Sequence, residues 1–176
     1  MNFDLGVAYT RKPEVKDLEE IYKYRNDYQV YKTLGGFSNG MSRSNVRDWI
    51  EFHSNNKKDF VWVIADKETD LCIGHLGLYD IDFRIGKAEI GIAIAKEYWG
   101  KSIGSYAYKE VLTYAFNELR LNRVETFNLA LNDKIIKIKQ KLGFKVEGVL
   151  RNFQYRDGKY EDIMVMAILK NEYVGK

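Results

Sequence analysis

The stretch from Lys87 to Ser105, Lys-Ala-Glu-Ile-Gly-Ile-Ala-Ile-Ala-Lys-Glu-Tyr-Trp-Gly-Lys-Ser-Ile-Gly-Ser, constrains this chain most, because an alternating strand gives way to a glycine-bearing turn and then at once to a helix. Side chains alternate with period two along a strand, so Ala88, Ile90, Ile92 and Ile94 fall on one face and Glu89, Gly91 and Ala93 on the other. The first face predicts core. The second sets a carboxylate beside two positions with little side chain, a pattern that marks close approach by a ligand or another backbone. In the turn, Gly100, Ser102, Gly104 and Ser105 leave backbone N–H groups accessible where the helix begins. A helix N-terminus with free N–H groups and the positive end of the dipole suits phosphate.

With 176 residues, 45% of them hydrophobic, the chain is long enough for one well-buried core and short for two domains. Its 28 Lys and Arg against 25 Asp and Glu leave a net charge of only +3. No basic run of the kind a nucleic-acid footprint requires is present, so no nucleic-acid partner is expected. The single cysteine, Cys72, sits in the apolar run Leu-Cys-Ile and reads as core packing rather than as a nucleophile, which fits a reducing compartment. The first residues lack a charged region followed by an apolar stretch, and no apolar segment spans a bilayer, so the expectation is a cytoplasmic protein without a membrane partner. His53 falls in a helical pattern and His75 inside an apolar strand, with no further ligand at metal spacing. No metal is expected.

Taken in order, residues 7–11 predict a short strand, and Lys12-Pro13 breaks it before a helix to about Arg25 with Val15, Leu18, Ile21 and Tyr22 inward. Residues 26–39 read as irregular, and Ser42 or Ser44 then caps a helix carrying Val46, Trp49, Ile50 and His53. Residues 60–66 and 71–81 form a hairpin about Lys67-Glu68-Thr69-Asp70 and lead into the central strand. A helix over residues 102–119 is followed by a strand over 123–129. A further helix over 134–142, with Ile135, Ile138 and Leu142 inward, ends at Gly143, and two strands over 145–156 and 159–169 meet at the Asp157-Gly158 turn.

In their order and spacing, Ala88-Glu89-Ile90-Gly91-Ile92, Tyr98 to Gly104, Asn132 and Lys141-Leu142-Gly143-Phe144 resemble the GNAT family of acetyl-CoA-dependent N-acetyltransferases. Glu147-Gly148-Val149-Leu150-Arg151 and Gly158-Lys159-Tyr160-Glu161-Asp162 are similar to the branch holding ribosomal-protein N-terminal, spermidine and nucleotide-amino-sugar acetyltransferases. The resemblance covers nearly the whole chain. It implies an α/β (α+β) fold in one domain over residues 1–176, with a central, mostly antiparallel sheet of six or seven strands flanked by about four helices.

For the cosubstrate, acetyl-CoA, the resemblance implies pyrophosphate over Trp99, Gly100, Lys101, Ser102, Ile103, Gly104 and Ser105, and a pantetheine arm along Ile92, Ala93 and Ile94. Asn132 is implied on the arm and reads equally as a helix N-cap, while Lys141, with Lys134 and Lys137, is a candidate for the 3′-phosphate. Trp99 stands where many relatives have Gln or Arg, and Ser102 where glycine is common and a positive φ is easy. Acetyl transfer needs a base to free the amine's lone pair, and Glu89 is implied in that role, directly or through water; a strand glutamate can also simply face solvent or pair with a lysine. The slot where many relatives carry a tyrosine acid holds Lys139. Because Lys134, Lys137 and Lys141 share that helix, Lys139 is expected on a solvated face with the thiolate leaving unaided, although a protonated lysine there would stabilise it; Tyr155 and Tyr160 are alternative acids.

Arg25, Asn26, Tyr79 and Asp162 are implied on the acceptor side. The expected activity is direct acetyl transfer in a ternary complex to a small-molecule amine (an amino sugar, nucleotide sugar, polyamine or antibiotic) or to a peptide N-terminus, by a monomer or homodimer. The alternative is a CoA-binding or protein-interaction module with weak catalysis.

Overall fold

The structure is a computed structural model describing residues 2–35, 40–56 and 58–175. Its strands are β1 (Ala8–Arg11), β2 (Phe60–Asp66), β3 (Cys72–Asp82), β4 (Lys87–Ile94), β5 (Arg123–Leu129), β6 (Lys145–Arg156) and β7 (Lys159–Leu169). Its helices are α1 (Leu18–Arg25), α2 (Tyr28–Tyr31), α3 (Arg43–Asn55), α4 (Ile103–Asn117) and α5 (Asp133–Lys141). The strands form one seven-stranded sheet in the order β1-β2-β3-β4-β5-β7-β6. Every neighbouring pair is antiparallel except β4 with β5, which is parallel.

Local chemistry explains most boundaries. Ser42 caps α3 by accepting from Asn45 N, and the Asn45 side chain accepts from Ser42 N in return, the reciprocal arrangement of a capping box. The described residues form five α-helices against the expected count of about four, the additional one being α2, which lies inside a segment expected to be irregular. Asp27 Oδ1 accepts from Gln29 N at 2.8 Å and Val30 N at 3.4 Å, and the turn buries Val30. The inward stripe of α1 also departs from expectation: Val15 is 62% exposed, Tyr22 lies under the Arg43 guanidinium, and Tyr24 turns inward with Leu18 and Ile21. A 3₁₀ turn over Val15–Asp17 advances by three residues rather than 3.6, which rotates the phase of everything before α1.

Each sheet face has its own core. Phe3, Trp62, Ile64, Leu76, Leu78, Ala88 and Ile90 pack against Ile103, Ala107, Val111, Leu112 and Phe116 of α4. On the opposite face Val63, Ala65, Cys72 and Ala93 pack against α1 and α3 through Leu18, Ile21, Tyr24, Val46 and Ile50. Cys72 is a packing residue there, its thiol pushed up to about 12 by burial. Among the described residues, no helix is long and apolar enough to cross a membrane.

Candidate active site

The parallel junction between β4 and β5 extends over only three pairs, Lys87 with Arg123, Ala88 with Val124 and Glu89 with Glu125. Ionic contacts staple it: Lys87 Nζ meets Glu125 Oε1 at 2.8 Å, Arg123 Nε meets Glu125 Oε2 at 2.9 Å, and the Arg123 guanidinium is bidentate on Glu147. Beyond Glu89 the two strands separate, β5 remaining on β7 through Leu129 and β4 on β3 through Ile94. Ala95 N donates to Ile73 O at 2.8 Å, so the alternation of the antiparallel ladder turns the N–H and C=O of Ile92 and Ile94 away from β3 and towards the gap.

That gap is the floor of a cleft of about 980 Å³. One wall is β4 from Glu89 to Ile94, and the mouth is the turn into α4, contributed by Trp99, Gly100, Ser102, Ile103, Gly104 and Ser105. Arg25, Tyr79 and Asn132 complete the set of expected residues that the fold gathers here. Four others lie elsewhere. Lys101 folds over the Tyr98 ring, and Lys141 is exposed at the far end of α5, whereas Lys134 at its start lines the cleft. The Asn26 side chain holds the backbone of Met41 in both directions, and Asp162 Oδ1 accepts from Asn152 N within the β6–β7 hairpin. Both carry structural hydrogen bonds instead of lining the cleft. Of the segment expected to be irregular, residues 36–39 lie outside the described residues.

The turn can hold an anion. Gly100 has φ +83° and Ser102 φ +60°, so Ser102 adopts the left-handed conformation that a side chain was expected to resist, at a strain of roughly 1–2 kcal/mol. The first N–H groups of α4 have no partner within the helix, and a Cβ added at Gly104 would meet only Ile94 Cδ1, at 3.7 Å. Trp99, in place of a polar residue, donates its indole N–H to Ile94 O at 2.8 Å and ties the turn to the end of β4. Asn132 caps α5 by accepting from Ile135 N at 3.3 Å, and it donates to Thr33 O at 3.2 Å, joining α5 to the loop after α2.

The small face of β4 lines the cleft and has a second use besides. Gly91 and Gly77 make room for the Tyr79 ring, since a Cβ would come within 3.2 Å and 2.7 Å of it respectively. Ala93 is buried against the second core. Tyr79 is therefore the wall on that side, with Glu89 directly across the ladder from it. Burial raises the Glu89 carboxyl above its ordinary value, and the charges of Asp80 and Glu125 act in the same direction. His75 lines the cleft beside Tyr79 but is spoken for: its Nδ1 shares a 2.7 Å hydrogen bond with Tyr24 OH, and burial pushes it down to about 3, so it is neutral.

Lys139 contradicts the expectation of a solvated lysine. It is 3% exposed, lines the cleft, and donates to Thr126 Oγ1 at 2.6 Å and Asn128 Oδ1 at 2.5 Å. Burial pushes its ammonium down to about 7, against an opposing pull from Glu89. The spacing held the signal: Asn132, Ile136 and Lys139 stand at i, i+4 and i+7, one stripe of a helix, and Thr126 and Asn128 share one face of the β5 strand. Those two polar residues and Tyr108 are cleft residues that the sequence reading did not single out.

A model of the acetyltransferase (GNAT) domain matches residues 9–145. The chain is 32% identical over 167 residues to the uncharacterized N-acetyltransferase p20 of Bacillus licheniformis, covering 94% of each. It is 32% identical over 124 residues to spermidine N(1)-acetyltransferase of Escherichia coli, covering 70% of this chain and 64% of that one. Among solved structures, spermidine N-acetyltransferase from Vibrio cholerae in complex with CoA and spermine matches with a TM-score of 0.84 at 24% identity, over 96% of this chain and 98% of that one.

Proposed function

Since the chain belongs to the GNAT family of acetyltransferases and is an acetyl-CoA-dependent N-acetyltransferase, we propose that it moves the acetyl group directly to a primary amine within the cleft between β4 and β5, with Glu89 as the base. The observation that carries this reading is the opening beyond Glu89, which sets a half-buried carboxylate, an exposed strand edge and a helix N-terminus along one cavity. Acetyl-CoA supplies the acetyl group as a thioester, whose carbonyl carbon is open to attack by an amine. The N–H groups at the start of α4 suit its pyrophosphate, with Gly104 giving unobstructed approach. The Ile92 and Ile94 backbone suits the amide-bearing arm as an added strand, and an N–H there suits the thioester oxygen. Glu89 takes the proton of the incoming amine, directly or through one water, and its raised proton affinity makes it a better base than an exposed glutamate.

The charges of the cleft bear on the acceptor. Glu89 is the one carboxylate among its described lining residues, against Arg25, Lys134 and Lys139. A polyamine carries several positive charges and would need carboxylates to receive them; an amine whose remainder is neutral or acidic, such as an amino sugar, a nucleotide sugar or a peptide N-terminus, suits this lining better. The relatives named for spermidine make a polyamine the comparison to run. Thiol release from acetyl-CoA, measured across a panel of amines, is expected to be faster with a monoamine than with spermidine at equal concentration. Spermidine as the preferred acceptor would overturn the acceptor class, and acetyl-CoA binding without turnover on any amine would leave a CoA-binding module. With a confirmed acceptor, Glu89→Gln is expected to lower turnover by about a hundredfold to ten-thousandfold with acetyl-CoA affinity unchanged in calorimetry.

A further inference from the structure

Lys139 is the most deeply buried ammonium in the cleft, and its hydrogen-bond partners are both uncharged. Thr126 Oγ1 and Asn128 Oδ1 accept two of its N–H groups at 2.6 Å and 2.5 Å, and the Tyr108 ring centroid lies 5.1 Å from Nζ. Neutral acceptors and an aromatic face hold an ammonium in place without cancelling its charge. No carboxylate lies within ion-pair distance of it among the described residues, and the acidic group acting on it is Glu89, on the opposite wall. A buried cation left in this condition is stabilised by whatever anion enters the cavity or is relieved by giving up its proton. In acetyl transfer from a thioester, the anion that forms is the thiolate.

We propose that Lys139 is a catalytic residue of the acetyl transfer, giving its third Nζ proton to the sulfur that departs. This rests on the acetyl-transfer reading of the cleft. The amine nitrogen forms its bond to the acetyl carbon, the carbon–sulfur bond breaks with its electron pair going to sulfur, and the Lys139 proton follows onto that sulfur. Glu89 holds the one proton the amine nitrogen loses as the amide forms, and once the products leave that proton passes through water to recharge the neutral lysine. The division of labour matches the two walls: base on β4, acid on α5, reacting carbon between them. The hydrogen bonds donated to Thr126 and Asn128 fix Nζ as a donor and hold it in one orientation.

Two influences set the titration of this amine, the desolvation of its burial, which disfavours its charge, and Glu89 from β4, which favours it; the Tyr108 ring from α4 and the Thr126 and Asn128 side chains from β5 also face it. The test uses the full chain saturated with CoA in its thiol form. Thiolate absorbance is followed against pH in the wild type, in Lys139→Met and, as a second variant of different shape, in Lys139→Gln. The bound thiol is expected to ionise at least about one pH unit lower in the wild type than in either variant, a tenfold difference in thiolate at a given pH. With a confirmed acceptor, either variant is expected to lose about a hundredfold in turnover with unchanged CoA affinity, and to lose the fall in turnover that the wild type shows as pH rises through Lys139 deprotonation. Equal thiol titration in all three proteins, with CoA bound, would overturn the role of Lys139 alone. Failure of the wild type to bind CoA would overturn it together with the assignment of the cleft. An acetyl group found on Lys139 by mass spectrometry after incubation with acetyl-CoA would replace the acid with a nucleophile.

Discussion

Arg11 and Lys139 are both buried, at 8% and 3% exposure, on opposite faces of the sheet, and the fold treats their charges in opposite ways. Arg11 is bidentate on Asp17, at 2.8 Å and 2.7 Å, and its Nε reaches Asp70 at 2.9 Å. Burial opposes that charge, but the two carboxylates outweigh it and hold the guanidinium above its ordinary value. Asp70 also accepts from Tyr9 OH and Lys16 Nζ, so the cluster ties β1, the start of α1 and the β2–β3 turn together. Lys139 has two neutral acceptors and an open cavity. A cation neutralised in place serves the fold; one left short of a counter-charge beside an open cleft is the one proposed to serve the reaction.

The largest expected effect breaks the structural partner. Asp17→Asn leaves Arg11 charged and buried with its bidentate acceptor gone, and it is expected to lower unfolding free energy by about 3–5 kcal/mol in urea denaturation, while acetyl-CoA affinity of the folded protein is preserved. A comparable loss in Lys139→Met would show that both cations are structural and erase the distinction.

Lys139→Met is instead expected to stabilise the protein by about 1–2 kcal/mol below pH 7, because an apolar side chain replaces a buried charge lacking a counter-ion. The sign follows from proton binding. The folded ammonium is pushed down to about 7 from an ordinary value of 10.5, so between those values the unfolded chain binds more protons than the folded one, and wild-type stability rises with pH through that window. The variant lacks that rise. Denaturation at pH 6 and again above pH 10 reads the difference, and a pH-independent gap between the two proteins would show that packing, not charge, sets it.

The smallest effect belongs to the rim of the structural cluster. Lys16→Ala removes an exposed partner of Asp70, leaves the Arg11–Asp17 pair intact, and is expected to give a denaturation curve indistinguishable from wild type. A resolvable loss would mean that the cluster is held from its outer edge.

Much of the fold is legible in the sequence because its signals are local. The β5 bounds, the Asp157-Gly158 turn and the Ser42 cap rest on alternation, left-handed turn residues and a hydroxyl beside a free N–H. The strand–turn–helix stretch likewise carries Glu89 and the α4 N-terminus into one cleft. What local signals do not carry is the partner across the fold. Lys139 resembles its neighbours Lys137 and Lys141 until Thr126 and Asn128 stand opposite it, and Asn26 resembles a pocket residue until Met41 takes its side chain. Gly91 lines the cleft, but the sequence does not show that Tyr79, from another strand, shares that space. The 3₁₀ turn before α1 misleads for a related reason, as a small change in helical pitch rotates Val15 out of a stripe that a uniform period places inward.

The three-pair junction between β4 and β5 also bears on how the chain folds. Strands β1 to β4 form a succession of antiparallel neighbours, and β5 to β7 form a second antiparallel block. The parallel seam joins them across α4 and offers only Lys87–Glu89 on one side and Arg123–Glu125 on the other. Closing the stretch between Lys87 and Arg123 carries loop-closure entropy and returns only three backbone pairs, so the seam is the joint of the sheet that opens most readily. A molecule bound along the cleft bridges both halves in the native state and is absent from the unseamed one. Occupancy therefore slows opening of the seam more than it speeds folding, and amide exchange at Ala88 and Glu125 is where that protection is greatest.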